Sequence, residues 1–391
     1  MTATAAPTTT APATTAPATP EPTDPVGRAT GLVTVMGGLD EPHSIIPTTA
    51  DAELLRRMHK ELLRIRVIDA RMIVLQRQGR VGFYGACTGQ EAVPIACGLA
   101  GRASDWMFPA LREQAVMLVR GFPLTSFVAQ VFGNGGDILK GRQMPSHHSS
   151  KSVHQVSWSS VIGPQIPQAV GAAWAAKLKK RSDVMVGFCG DGATSEPDFH
   201  AAMTFAGVHQ TPSVIVCQNN GWSISVPTKK QTASQTIAIK GLAYGVDSRR
   251  VDGNDVVAVY EVVHAAIERA RAGQGPTFVE CVTYRIGAHS TSDDPTRYRS
   301  QAEVERWQRR DPVERFHRWM VARGLTTDET RTALEAELDA EIVAVIKEVE
   351  ALPPPTRESL FDDVYAELPW HLREQRAELL ALPPAPTHGA T

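Results

Sequence analysis

Residues 184–196 read VMVGFCGDGATSE. Val184–Cys189 is an apolar run of strand length, and its lack of polar alternation suits a strand buried on both faces. It leads directly into Gly190-Asp191-Gly192 and then Ala193-Thr194-Ser195-Glu196. That order is a strand end, a tight turn and a helix start. Glycine lets backbone N–H groups come close to an anion, and the start of a helix favours phosphate. A carboxylate in such a turn is a good ligand for a hard cation. Alone, a Gly-Asp-Gly turn recurs on many protein surfaces and decides little.

A second strand-like run, Ser213–Gln218, ends in Asn219-Asn220-Gly221-Trp222-Ser223-Ile224-Ser225. Asn220 follows Asp191 by 29 residues, which is about the length of one strand–helix–strand unit. Both loops should therefore emerge side by side at the carboxyl edge of a parallel sheet, where open α/β folds collect ligands. The Asp191 carboxylate, the Asn220 amide oxygen and a loop carbonyl would give a cation three oxygens. Two diphosphate oxygens and a water would complete a magnesium shell.

The same alternation extends outward. Thr277–Tyr284 reads as a third buried strand, and Gln165–Lys179 and Val256–Ala272 read as helices between strands. Together they predict an α/β fold, a mostly parallel sheet covered by helices on both faces. Leu54, Leu55, Met58, Leu62, Leu63, Ile65 and Ile68 recur at helical spacing, predicting a long amphipathic helix from Asp51 to Gln78 that Gly79 ends. From Glu303 the composition turns charged and helical. Thr326 and Glu329 look like a capping box opening a helix that runs to Ala351, before Pro353–Pro355 stops the chain. The organisation expected is a loose Ala/Thr/Pro head over 1–30, an N-terminal extension and long helix over 31–80, and a diphosphate-binding domain over 81–300. A helical region over 301–380 and a loose tail over 381–391 complete it.

Composition narrows the class. The chain has 391 residues, 42% hydrophobic and 21% charged, with a net charge of −2. A near-neutral balance argues against a nucleic-acid or polybasic membrane surface. No apolar run approaches the roughly 18 residues that would span a bilayer. The first 20 residues carry neither the charged start of a secretory signal nor the arginines of an organellar transit peptide. Cys87, Cys97, Cys189, Cys217 and Cys281 show no CxxC spacing and read as small buried hydrophobes of a reducing, cytoplasmic compartment. His147, His148 and His154 match no zinc spacing. Gly133-Asn134-Gly135-Gly136 lacks the third glycine of a dinucleotide fingerprint, and no GKS or GKT phosphate loop exists.

Four further stretches join the paired loops: QRQGRVGFY (76–84), GRQMPSH (141–147), GPQIPQAVGAAWAAK (163–177) and YRIGAHSTSDD (284–294). With them the sequence resembles the alpha subunits of thiamine-diphosphate-dependent 2-oxoacid dehydrogenases, and the QRQGR, GRQMP and HSTSDD wording is closest to the branched-chain type. The resemblance implies a thiamin diphosphate-binding fold with magnesium on Asp191, Asn220 and the Trp222 backbone oxygen. It implies Arg112 on the diphosphate, backbone contacts from Gly190, Gly192 and Ala193, and Ser160 and Ile162 lining the cofactor where it bends. His289 would stand beside the diphosphate and the reacting carbon, and Ser290 follows it; in animal relatives that serine is phosphorylated.

Some positions depart from the family pattern. Leu111 stands in the cofactor set where a Tyr is common, and Gln218 where an Arg often meets the diphosphate. Pro164 replaces a small hydroxyl residue near a potassium site of some relatives. Phe83 and Tyr84 are candidate walls of a substrate pocket. The implied partners are a beta subunit, in a tetramer of two alpha and two beta chains, a lipoyl-bearing acyltransferase and a branched-chain 2-oxoacid. Other readings keep the enzyme but change its substrate to pyruvate or acetoin, or leave a non-catalytic cofactor-binding paralogue.

Overall fold

Alternate residues of the central strands pack into two separate cores, which is how a sheet buried on both faces must divide them. Val186 and Phe188 join one apolar cluster with Val214, Val216 and Val279, whereas Met185, Cys189, Ile215, Cys217 and Phe278 join the other. The computed structural model describes residues 18–290 and 293–383. Its main sheet has eight strands: β1 (Ala18–Thr19), β2 (Leu32–Thr34), β3 (His43–Ile45), β4 (Trp106–Phe108), β5 (Met185–Gly190), β6 (Ser213–Asn219), β9 (Asp247–Asp252) and β10 (Thr277–Val282). Between β6 and β9 a small antiparallel hairpin forms from β7 (Trp222–Ser223) and β8 (Val226–Pro227). The order in the main sheet is β1-β3-β2-β9-β10-β6-β5-β4, and every ladder in it is parallel.

Helices cover both faces. α1 (Ala52–Arg77), α2 (Ala92–Ala100) and α5 (Val256–Arg271) bury their apolar sides in the first cluster; α3 (Gln165–Leu178) and α4 (Pro197–His209) bury theirs in the second. The α/β class read from the sequence holds. The long helix also stands where its periodicity put it: Asp51 Oδ1 accepts from Leu54 N at 2.8 Å, and the chain turns away at Gly79, whose φ is +74°.

Three expectations shift. Residues 18–30, assigned to the loose head, contain β1 and a short helix, Pro25–Thr30, capped by Asp24; residues 1–17 and 384–391 lie outside the described residues. The strand expected over Thr277–Tyr284 stops at Val282, the last residue that pairs with β6 and β9. The cap of α7 (Asp328–Glu350) is Thr327, not Thr326: Thr327 is the residue with extended backbone, and its Oγ1 accepts from Thr330 N at 3.2 Å.

α6 (Pro312–Val321) ties α7 to α1 through buried imidazoles. His317 Nδ1 lies 3.1 Å from His59 Nε2, and His317 Nε2 lies 2.7 Å from Asp328 Oδ1. Burial first, then His317 and Arg331, lower the His59 pKa from 6.5 to about 4. The unfolded chain thus takes up a proton that the folded chain refuses until lower pH. This contribution to stability is complete above pH 7 and is lost as the pH falls from 6.5 toward 4, by up to about 3 kcal/mol. His148 and His289 are lowered in the same direction. The share of His59 is therefore read from a variant: the urea midpoint of His59→Gln should fall less between pH 7 and pH 5 than that of the parent. Parallel slopes would contradict it.

Candidate active site

Strands β5 and β6 are neighbours in register, Gly190 opposite Gln218. Asp191 and Asn219–Asn220 therefore leave the sheet together at its carboxyl edge. Asp191 is only 2% exposed. Its Oδ2 accepts from Thr228 Oγ1 at 2.8 Å and from Gln231 Nε2 at 2.9 Å, and the same Thr228 hydroxyl reaches Asn219 Oδ1 at 3.3 Å. One threonine thus bridges the two loops. Burial pushes the Asp191 carboxyl up, while its hydrogen bonds and Arg285 pull it back.

Asn220 is held at both ends of its amide. Nδ2 donates to Gln90 Oε1 at 3.0 Å, and Oδ1 accepts from Trp222 N at 3.1 Å. The indole of Trp222 is pinned by Glu303 at 2.8 Å, and its backbone oxygen lies 3.5 Å from Arg285 Nη1. The β7–β8 hairpin lays Ser223 over Gly192, where an added Cβ would come within 2.8 Å of the Ser223 Cβ. Only glycine fits there. The space beside Gly190 is open. Gly192 and Ala193 open a short 3-10 turn, where the first N–H groups have no partner inside the turn. The Ala193 methyl anchors that turn in the second core.

The cationic side comes from other elements. Arg112, 5% exposed, donates from Nη1 to Ala86 O and from Nη2 to His289 O at 2.6 Å, with His289 Nδ1 at 3.3 Å. Arg285, 2% exposed, donates to Ile224 O at 2.7 Å and Tyr298 OH at 3.1 Å, and lies 3.5 Å from the same Nδ1. Among the described residues neither guanidinium forms an ion pair. Burial, with Arg285 beside it, lowers Arg112 to about 10. Burial, then Arg112 and Arg285, lower His289 to about 4, against Asp293. His289 is therefore neutral at pH 7. Two guanidinium donors face its Nδ1, so the ring's proton belongs on Nε2. Asp293 Oδ2 fixes the loop by accepting from His289 N at 2.7 Å and from the Tyr298 hydroxyl.

The remaining expected residues divide. Ser160 is exposed, with its Oγ 2.6 Å from His147 Nε2; Ile162 is 55% exposed beyond it. Leu111 is half-buried beside Arg112, and Phe83 is half-buried with its ring 6.4 Å from that of His147. Ser290 is half-buried beside His289; residues 291–292 lie outside the described residues. Gln218 is turned inward, its Nε2 on the Glu113 carboxylate. Tyr84 belongs to the first core, with its hydroxyl 2.8 Å from Asp69 Oδ1. Sequence reading left Arg285, Gln90, Thr228, Gln231 and Tyr298 without roles. Only Arg285 carried a signal, an arginine at a strand end inside YRIGAHSTSDD.

The donor set suits a hard divalent ion. Asp191 Oδ, Asn220 Oδ1 and Trp222 O are all oxygens, and one carboxylate with neutral donors is a common choice for magnesium, which keeps phosphate oxygens and water for the rest of its shell. Among the described residues no cluster of three or more His, Cys, Asp or Glu side chains offers another metal site. The buried, unpaired guanidiniums beside it suit an anion.

A parallel α/β sheet with a buried carboxylate and two buried guanidiniums at its carboxyl edge defines the class, and the pattern of the Dehydrogenase E1 component family matches residues 59–358. The chain belongs to that family. It is 43% identical over 324 residues to 2-oxoisovalerate dehydrogenase subunit alpha 2, mitochondrial, of Arabidopsis thaliana, covering 83% of this chain and 69% of that protein. It is 41% identical over 363 residues to 2-oxoisovalerate dehydrogenase subunit alpha of Pseudomonas aeruginosa, covering 90% and 87%. The mitochondrial human protein of the same name is 39% identical over 346 residues, covering 87% and 78%. The family resemblance read from the motifs, and the enzyme class with it, is met.

Proposed function

We propose that this chain is the alpha, decarboxylating component of a branched-chain 2-oxoacid dehydrogenase, that it binds thiamine diphosphate through magnesium, and that it works as a tetramer of two alpha and two beta chains delivering acyl groups to a lipoyl-bearing acyltransferase. The observation that carries the reading is the pair of buried guanidiniums, Arg112 and Arg285, which form no ion pair among the described residues and stand at the same sheet edge as the buried carboxylate of Asp191. An uncompensated buried cation is costly, and a bound anion offsets that cost. The names of the relatives, all 2-oxoisovalerate dehydrogenase subunit alpha, support the branched-chain substrate over pyruvate or acetoin. Buried free cysteines support a reducing compartment such as the cytoplasm. No helix among the described residues is long and apolar enough to cross a membrane.

Bound thiamine diphosphate supplies the electron sink for loss of carbon dioxide. The chain's own groups do the rest of the alpha subunit's work. Asp191, Asn220 and the Trp222 oxygen hold the ion, and Arg112 with the Gly192 and Ala193 N–H groups holds the diphosphate. Ser160 and Ile162 border the cofactor's bend, with Leu111 beside Arg112. His289, neutral with its proton on Nε2, can donate a hydrogen bond from that N–H to an oxygen of the substrate and stabilise negative charge that develops there. The acid that activates the cofactor ring comes from the beta subunit. With the beta partner present, dye-coupled turnover of 3-methyl-2-oxobutanoate should exceed that of pyruvate by about tenfold or more, a difference of about 1.4 kcal/mol in the barrier. Faster pyruvate turnover refutes the substrate.

Arg112→Gln tests the anion grip. Losing a charge-assisted contact worth about 1.5–3 kcal/mol should raise the dissociation constant of thiamine diphosphate roughly ten- to a hundredfold. Fluorescence titration in saturating magnesium measures it, and an unchanged constant would remove Arg112 from the grip.

A further inference from the structure

The Asp191 carboxylate is gripped through one of its two oxygens. Oδ2 accepts from Thr228 Oγ1 at 2.8 Å and from Gln231 Nε2 at 2.9 Å, and among the described residues no other residue donates to Oδ1. Both donors are themselves fixed. The Thr228 hydroxyl has a second acceptor, Asn219 Oδ1 at 3.3 Å, but only one proton, and the nearer, charged oxygen takes it. Gln231 Nε2 also donates to Val226 O at 3.3 Å, so a flipped amide would set its oxygen against two acceptors. Thr228 opens a 3-10 turn, Thr228–Lys230, which Gln231 N closes on Thr228 O at 2.9 Å. Thr228 N donates to Gly221 O at 3.0 Å. That carbonyl lies between Asn220 and Trp222, so the donors to Asp191 are tied to the loop that carries the other two candidate ion ligands. A carboxylate oxygen has about two lone-pair sites. Both on Oδ2 are in use, which leaves Oδ1 to face an ion.

We propose that Thr228 and Gln231 are positioning residues that restrict Asp191 to one oxygen and thereby set the choice of ion, magnesium over calcium. This rests on Asp191, Asn220 and Trp222 being the ion's ligands. With Oδ1 alone from Asp191, those residues supply three oxygens, and two diphosphate oxygens and a water bring the shell to about six. That number suits magnesium, which demands a near-octahedral shell. Calcium takes about six to eight oxygens and readily gains the extra one from a bidentate carboxylate. Thr228 and Gln231 withhold that oxygen. Removing them frees Oδ2 to turn to the ion, which favours calcium and adds nothing that a magnesium shell can use.

Ion titrations of the assembled alpha–beta complex test this without turnover. Thiamine diphosphate is kept in excess, and its binding is read by protein fluorescence as magnesium chloride or calcium chloride is added. The readout is the ratio of the two half-saturating concentrations. The parent should prefer magnesium. Thr228→Val and Gln231→Leu should each move the ratio toward calcium, and the double variant should move it roughly tenfold or more. Thr228→Ser keeps the hydroxyl and should keep the parent's ratio. A change that merely loosens the fold weakens both ions together and leaves the ratio where it was. The single variants carry the test if the double variant does not assemble. Unchanged ratios in the valine and leucine variants, with the parent still dependent on magnesium, overturn the roles of Thr228 and Gln231 and leave the ion site standing. A serine variant that behaves like the valine variant overturns the role of the hydroxyl. Calcium bound by the parent as tightly as magnesium overturns the selectivity. Cofactor binding by the parent that needs no divalent ion overturns the ion site itself.

Discussion

Asp191→Ala is expected to lower turnover roughly a thousandfold or more, since a metal-held charge is worth several kcal/mol. The chain should keep its fold and its partner. Asp191 contributes nothing to either apolar core, and its hydrogen bonds go to Thr228 and Gln231 in a loop. Its burial instead exacts a desolvation cost that its hydrogen bonds only partly offset, so the folded protein gains when a cation arrives. Magnesium dependence of cofactor binding should vanish with the carboxylate. Asp191→Asn, which keeps the shape and removes the charge, should fall nearly as far. Near-normal turnover of either variant at low magnesium contradicts the assignment.

His289→Ala should lower kcat by roughly a hundred- to a thousandfold, the range for loss of one hydrogen-bond donor to a developing oxyanion, while thiamine diphosphate affinity changes by less than about tenfold. The reason lies in how His289 is held. Its backbone N–H is fixed by Asp293, its backbone oxygen by Arg112, and its Nδ1 is turned to two guanidiniums. The ring is thereby oriented without being a main anchor for an anion. Its pKa of about 4 also means that neutralising Arg112 with a bound anion must raise it. The acid limb of kcat should thus lie above the value of the free enzyme. Single-turnover decarboxylation and acylation of a lipoyl group at unchanged rates would remove His289 from the site.

Much of the architecture could be read from local signals. The central strands β5, β6 and β10 are apolar runs, and α1 carries its own periodicity, cap and stop. β9 was not legible: its sequence, Asp247–Asp252, is DSRRVD, whose charges look like a solvated loop. They are tolerated in a parallel sheet only because Asp252 meets Arg310 and Arg315, and Arg250 lies near Glu41 and Glu280. Those partners are distant in sequence. β1 to β3 are too short to show a period, and their pairing depends on β9.

The site divides in the same way. Asp191 and Asn220 announce themselves through glycine turns at strand ends. Arg285 matters because the carbonyls of Trp222 and Ile224 and the Tyr298 hydroxyl converge on it, and convergence from two distant segments leaves no local mark. The partner of Tyr84 was equally hidden, since Asp69, which takes its hydroxyl, lies fifteen residues away on α1.

A crystal structure of the alpha–beta complex grown with thiamine diphosphate and magnesium tests the central claim most directly. One ion should touch an Asp191 Oδ and Asn220 Oδ1, each at about 2.1 Å, and carry diphosphate oxygens in the same shell. An ion seated on other residues, or a diphosphate bound with these two oxygens facing away from it, would contradict the account.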